Sequence, residues 1–404
     1  MDYLEEEKRI VKYMLNFLKE NINARNDFDF KYRLYDYIYK LCMVEAKKIN
    51  YKVETHYNIN QIDFDNIIYG KDIGVLHLIF SDVIDGDKLR LGYYGRNIDF
   101  KNKRFDAPVM IITNAGISYV LNSSKLNPEY ACINILNIIF HELRHMKQEF
   151  FAKANISNNI GIIYVKEYFL KGLYGNNYYL SSLKERDANL YAIKKLNEVA
   201  KNISKCDLNF NHKFNINNCN NIQIDEYVSR KFDEILKKVD LECVFSMYPI
   251  LTKEYNMDGT RKDAITLYNN MNREINDIIN NLNLDIYEKK QRIYNCKNMY
   301  FEIMFRSIDD AKKDIFYRSH NLFNEMIEFF LEKNYKEEKD TINFVNYDYS
   351  DILLRRKYYQ KIIGIIEDSV QSKDLKEKLK GKLYRNIYKN TIKNTWKIVF
   401  NDVI

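Results

Sequence analysis

Residues 141–145 read His-Glu-Leu-Arg-His, with two histidines four positions apart. On a helix, positions i and i+4 lie one turn apart on the same face, so two imidazoles there can bind one zinc ion. The intervening Glu142 lies beside them and can take a proton from a water molecule. This pattern predicts that His141 and His145 are zinc ligands and that Glu142 is a catalytic base.

A catalytic zinc usually has a third protein ligand and one open position. The longer motif with a glycine and a third histidine is absent, because Gln148 and Phe151 stand at those positions. Glu149 continues the histidine stripe, but it lies about 12 Å from His141 along the helix axis. Metal–ligand bonds of about 2 Å do not converge over that distance.

Glu185 is the better candidate for the third ligand. It shares one helical face with Ala188 and Ala192, and a carboxylate directed into a core is costly unless it is paired or bound to a metal. The small alanines would let this helix approach the histidine helix closely.

A structural role for Glu185 remains open. Ser182-x-x-Glu185 is also a capping-box pattern, in which the glutamate only binds the backbone at the helix start. In that case the third ligand would be another carboxylate, and the candidates are Glu149, Glu167 and Asp187.

The combination of His141-Glu142-x-x-His145 with Glu185-Arg186-Asp187-Ala188, forty residues after the second histidine, resembles the gluzincin class of zinc metallopeptidases. The resemblance covers about residues 105–200. It implies that His141, His145 and Glu185 bind zinc and that Glu142 activates water. In well-known members a carboxylate four residues after the ligand glutamate orients a ligand histidine. Asn189 stands at that position here, and its carbonyl oxygen could accept an imidazole N–H more weakly.

Peptide hydrolysis also needs an oxyanion donor and a surface for the substrate. Tyr174, Tyr178 and Tyr179 precede the Glu185 helix and are candidate donors. An extended peptide could add as a strand beside Val109–Thr113 or Ile117–Leu121, which the sequence predicts as a hairpin around Asn114-Ala115-Gly116.

The predicted fold is α+β and mostly α, with a zincin-like core made of a small sheet, the histidine helix and the glutamate helix. We expect an N-terminal helical segment (1–50), the catalytic core (51–202), an Asn-rich linker (203–222) and an all-α C-terminal domain (223–404). Asn127-Pro128-Glu129 begins the histidine helix, because each residue suits its position at a helix start.

The bulk composition indicates a globular protein with a net charge of +7. Its six scattered cysteines include no C-x-x-C pair, which favours buried thiols in a reducing compartment. The sequence has no apolar run long enough for a membrane span and no visible signal peptide, so a cytoplasmic location without membrane contact is expected.

A rival interpretation is a non-catalytic helical protein that binds a partner or nucleic acid and carries a structural or degenerate zinc site. The segment Lys373–Lys397 is rich in lysine with interleaved aromatic residues, which is compatible with nucleic acid, but a solvated helix face is favoured. The remaining histidines stand alone in the sequence and are interpreted as structural or surface residues. They are His56, His77, His212 and His320.

Overall fold

The computed structural model describes residues 2–57, 74–81, 92–95, 98–99, 104–105, 109–170, 182–201, 226–306, 316, 360, 363–368 and 370–387. Most of these residues are helical, and a small mixed sheet of four strands accompanies them. This confirms the prediction of an α+β, mostly α fold.

The chain forms two compact units. The first comprises Met1–Ile156 and Ile160–Leu251, and the second comprises Ser157–Asn159 and Thr252–Ile404. Apart from Ser157–Asn159, the predicted N-terminal segment (1–50) and the predicted core (51–202) fall in the first unit, which extends to Leu251. The predicted linker at 203–222 lies outside the described residues.

The helices before residue 251 are α1 (Tyr3–Asn21), α2 (Phe28–Lys47), α3 (Asn114–Ser123), α4 (Pro128–Lys153), α5 (Asn159–Leu170), α6 (Leu183–Val199), α7 (Glu226–Leu236) and α8 (Leu241–Met247). The strands are β1 (Lys52–Tyr57), β2 (Val75–Ser81), β3 (Gly92–Gly95), β4 (Ile98–Asp99), β5 (Arg104–Phe105) and β6 (Val109–Thr113). Later helices are α9 (Ala264–Asn280), α10 (Ile286–Phe305) and α11 (Lys373–Ile387).

The four-stranded sheet has the order β1-β2-β6-β3, and a separate pair is formed by β4 and β5. Strands β1, β2 and β6 are parallel, and β3 pairs with β6 in the antiparallel direction. Because side chains alternate between the faces of a strand, one face carries Leu76, Leu78, Phe80, Met110 and Ile112. These residues join α1, α2, α4 and α6 in one hydrophobic core, which explains why the N-terminal helices and the sheet form one unit.

The predicted hairpin is wrong in its second half. Val109–Thr113 is strand β6, but Ile117–Leu121 lies within helix α3. Thr113 caps this helix, because its side chain accepts the backbone N–H of Gly116 at 2.9 Å. Ile117 and Val120 are both buried at helical spacing, so the short apolar run belongs to a helix that the β-rich composition concealed.

Helix α4 begins as the sequence predicts. Asn127 is its N-cap and accepts the backbone N–H groups of Glu129 and Tyr130, and Pro128 occupies the first turn. The helix runs through residues 141–145 to Lys153 and packs closely against α6. Ala188 and Ala192 on α6 are fully buried, in agreement with the predicted close approach.

The second unit contains α9, α10 and α11. Glu274 on α9 accepts hydrogen bonds from Lys253 at 2.8 Å and from Tyr300 on α10 at 3.3 Å. In both units the described cysteines, Cys42, Cys132, Cys243 and Cys296, are buried thiols. Among the helices that the structure describes, none has the length and apolar character of a membrane span.

Candidate metal centre

Helix α4 places His141 and His145 on one face, as their spacing predicts. Their Nε2 atoms lie 3.2 Å apart, and the two rings are nearly perpendicular. His145 is buried and His141 is largely buried, so the pair is withdrawn from bulk solvent. Two nitrogens at this distance can bind one metal ion.

Glu185 on α6 completes the group. Its Oε2 atom lies 3.2 Å from Nε2 of His141 and 3.2 Å from Nε2 of His145. Ligands at about 2.0–2.1 Å from a tetrahedral zinc are about 3.3 Å from one another. The three atoms therefore form a triangle of the size that a zinc donor set requires, and the donor types are those that zinc prefers.

The electrostatics of the group favour an ionised Glu185. Burial alone would raise the pKa of this carboxyl, but hydrogen bonds with His141 and His145 hold it well below its usual range. Burial likewise opposes charge on His141, yet the contact with Glu185 raises the pKa of this imidazole above its ordinary value. The contacts with the two imidazoles therefore favour the ionised form of the Glu185 carboxyl.

Each of the two histidines contacts a side-chain amide. Nδ1 of His141 lies 3.0 Å from Oδ1 of Asn189, and Nδ1 of His145 lies 2.9 Å from Oε1 of Gln148. An amide oxygen only accepts, so each Nδ1 carries the hydrogen and each Nε2 is left to bind a metal. The sequence predicted a role for Asn189 but not for Gln148. The position of Gln148 on the polar face, three residues after His145, could have indicated its contact with this histidine.

Asp187 serves to join α4 and α6. It accepts hydrogen bonds from Arg144 at 2.6 and 3.0 Å and from the amide nitrogen of Gln148 at 2.7 Å. Gln148 also donates to the backbone carbonyl of Lys184 at 2.9 Å. Asp187 therefore holds Gln148, which orients His145. Asp187 does not belong to the group of His141, His145 and Glu185.

Glu149 and Glu167, the two remaining candidates for the third ligand, contact different partners. Glu149 accepts a hydrogen bond from Tyr94 at 2.5 Å and pairs with Lys153 at 2.9 Å. Glu167 on α5 accepts the backbone N–H groups of Leu183 and Lys184, both at 2.9 Å. Neither carboxylate lies with the two histidines.

The capping box is not formed at the start of α6. Ser182 is the N-cap residue, but its hydroxyl donates to Glu167 at 2.7 Å and makes no cap hydrogen bond. Glu167 supplies the acceptor that the N-terminus of α6 needs. Glu185 is therefore directed to the histidines and not to the backbone.

Glu142 is buried and faces strand β3. A Cβ atom added at Gly92 would lie 3.3 Å from Cγ and 3.5 Å from Oε1 of Glu142, and 2.9 Å from Cγ2 of Ile138. Gly92 thus lets the last strand of the four-stranded sheet pass directly beside the predicted base. Neither predicted platform offers an open strand edge, because Val109–Thr113 is paired by β2 and β3, and Ile117–Leu121 is helical.

Lys184 is a nearby cation that the sequence did not indicate. Its Nζ atom lies 3.4 Å from Oε1 of Glu185, the oxygen that does not contact the histidines. The predicted oxyanion donors, Tyr174, Tyr178 and Tyr179, lie outside the described residues.

Buried charges behind the metal group fix α4 and α6 to the N-terminal helices. Lys147 on α4 donates to Glu45 on α2, and Tyr191 on α6 donates to Glu45 at 2.7 Å. Lys195 on α6 donates to Glu7 on α1 at 2.5 Å. A displacement of α4 or α6 would break these ion pairs and leave buried charges without partners, which is costly.

Two histidines that stand apart in the sequence lie side by side. Nε2 of His56 on β1 is 3.1 Å from Nδ1 of His77 on β2, and Glu54 lies beside them. The sequence did not indicate this contact, because strand pairing joins positions 21 residues apart. The remaining two, His212 and His320, lie outside the described residues.

The described part of the basic segment is helix α11. Lys376 and Lys380 on this helix both pair with Glu367, which offsets part of the positive charge of the helix.

Comparison of the chain with family models, with curated proteins and with solved structures gives no match.

Proposed function

We propose that this chain is a zinc-dependent peptide-bond hydrolase of the gluzincin type, with zinc held by His141, His145 and Glu185. The observation that carries the proposal is the position of Glu185 Oε2, 3.2 Å from both ligand nitrogens and contributed by a second helix. The histidine helix, the glutamate helix and the small sheet support the proposal of a zincin-like core.

The donor set supports zinc over harder cations. Two imidazole nitrogens and one carboxylate oxygen suit zinc, whereas calcium and magnesium prefer oxygen ligands alone. Three protein ligands would leave a coordination position open, as a catalytic site needs. When bound, zinc would lower the pKa of a coordinated water and polarise the substrate carbonyl.

Glu142 is the proposed general base. Its carboxylate would take a proton from the attacking water as the water oxygen adds to the peptide carbonyl carbon. It would then give this proton to the leaving nitrogen as the C–N bond breaks, yielding a carboxylate and an amine. A purely structural zinc site would not need a carboxylate between the two ligands, which favours catalysis over a non-catalytic role.

Strand β3 is the proposed substrate platform. It is the terminal, antiparallel strand of the four-stranded sheet, and Gly92 brings its backbone to Glu142. An extended peptide paired with this strand would run past the base and the metal group, with backbone hydrogen bonds supplying affinity. Lys184, close to Glu185, is a candidate to stabilise the negative charge that develops on the oxygen of the substrate carbonyl.

The test is cleavage of a mixed peptide library by the zinc-loaded protein, read by mass spectrometry, with Glu142→Gln as the matched variant. We predict new peptide termini with the wild type and a loss of at least a hundredfold in rate with Glu142→Gln. The variant should bind zinc as the wild type does. Equal cleavage by both proteins would contradict the role of Glu142. Zinc binding without cleavage of peptides or proteins would favour a non-catalytic binding protein.

A further inference from the structure

A second group of metal-binding side chains lies on strands β1 and β2. Glu54 and His56 are two positions apart on β1 and therefore project from the same face. Glu54 is the register partner of His77 on β2, which places the second imidazole beside both. Parallel pairing thus brings a carboxylate and two histidines together from separate parts of the sequence.

The distances within this group resemble those of the first one. Nε2 of His56 and Nδ1 of His77 are 3.1 Å apart, and Oε2 of Glu54 lies 3.5 Å from the same nitrogen of His77. These values bracket the separation of about 3.3 Å expected between ligands of a tetrahedral zinc. The three donor atoms all lie within 4.8 Å of one another.

The two groups are on opposite faces of the sheet. Residues alternate along β2, so His77 points away from the face that carries Leu76 and Leu78 in the core. Gly92 on β3, which approaches Glu142, belongs to the core face by its pairing with Ile112. The group at His56 and His77 therefore cannot share a metal ion with the proposed catalytic centre.

The environment also permits entry of an ion. The side chain of Glu54 is 57% exposed, whereas that of His77 is 11% exposed. A metal could approach from the solvent side at Glu54 and be held by the more enclosed imidazoles. Water or another ligand would fill the positions that three protein donors leave open.

We propose that Glu54, His56 and His77 form a second site for a borderline transition metal, with zinc as the expected occupant, that ties strand β1 to strand β2. Two imidazoles and a carboxylate select zinc, nickel or copper over magnesium and calcium. The bound ion would crosslink two strands that are otherwise joined by backbone pairing and would stabilise the edge of the sheet by mass action.

The test is the number of zinc ions bound by the full chain, measured by equilibrium dialysis with zinc alone and elemental analysis. The wild type should bind two equivalents. His56→Ala should bind one, and Glu54→Gln should keep two equivalents but weaken one of them about tenfold. The matched control is Thr55→Ala. Thr55 lies between Glu54 and His56 but projects from the other face of β1, so this variant should still bind both zinc equivalents.

The outcomes separate this proposal from the proposed function. A His56→Ala protein that binds as much zinc as the wild type would overturn the second site, which would then be a histidine–histidine hydrogen bond only. A single equivalent in the wild type that His56→Ala removes would support the second site and contradict the catalytic one. Circular dichroism of each variant establishes that it is folded, and His77→Asn provides a second disruption should His56→Ala fail to fold.

Discussion

Oε1 of Glu167 accepts the backbone N–H of Leu183 at 2.9 Å, so a side chain of helix α5 caps the start of helix α6. Because Glu167 also accepts the N–H of Lys184, the first turn of α6 does not need the carboxylate of Glu185. Glu167 therefore caps the helix, whereas Glu185 lies beside His141 and His145, and the two glutamates give opposite expectations for their substitution.

Glu167→Ala should lower the free energy of unfolding by about 1–2 kcal/mol, the usual effect of losing a helix cap. Glu185→Gln should reduce zinc affinity at least tenfold while the metal-free protein keeps its cap. Chemical denaturation of the metal-free proteins and zinc titration measure the two effects. A large loss of stability without loss of zinc affinity in Glu185→Gln would return this residue to a structural role.

The amides of Gln148 and Asn189 should tune the metal site through the histidines. Replacing either by alanine removes the acceptor for an imidazole Nδ1–H, and loss of such a partner typically costs 10–100-fold in affinity or activity. We expect the larger loss for Gln148→Ala, because Gln148 also binds Asp187 and the backbone of Lys184. Zinc competition with a chromophoric chelator measures both. Wild-type affinity in both variants would show that the amides do not orient the ligands.

Gly92→Ala should impair catalysis more than metal binding. The added Cβ would lie 2.9 Å from Cγ2 of Ile138, which is fixed close to the helix backbone, and 3.3 Å from Cγ of Glu142. Either β3 or Glu142 must shift, and small displacements of a catalytic base reduce rates strongly. We expect at least a tenfold fall in kcat/KM with unchanged zinc stoichiometry. Gly364→Ala is the matched control, because nothing lies within 4 Å of its added Cβ.

Glu7 should make stability depend on pH. Its burial, together with the hydrogen bond and charge of Glu45, raises the pKa of Glu7 from 4.5 to about 7. A carboxyl with a raised pKa in the folded state contributes stability below 4.5, and this contribution is lost as the pH rises through about 7. Between pH 5 and 8 the free energy of unfolding of Glu7→Gln should therefore fall less than that of the wild type. Denaturation at several pH values measures this, with exposed Glu5→Gln as the control, which should follow the wild-type curve.

The sequence predicted the local arrangement of the candidate site, because helical spacing determines which side chains share a face. His141, Glu142 and His145 needed only the period of an α-helix, and Asn127 and Pro128 set where that helix begins. Glu185 was found because a buried carboxylate needs a partner, and this requirement does not depend on knowing the contacts between distant residues.

Features that depend on pairing between distant segments were not predicted. His56 and His77 meet only through the register of β1 and β2, which one sequence does not reveal. The capping role of Glu167 depends on how α5 meets α6. Ile117–Leu121, within helix α3, was predicted as a strand because this short apolar run does not distinguish a strand from a helix by its period.

The most direct test of the central claim is zinc titration of His56→Ala and of His56→Ala/Glu185→Gln, in which the second group of histidines is disabled. We predict one equivalent of zinc in the first protein and an affinity at least tenfold lower in the second. Absence of zinc binding by the His56→Ala protein, or equal affinity in the two proteins, would contradict a metal centre built from His141, His145 and Glu185.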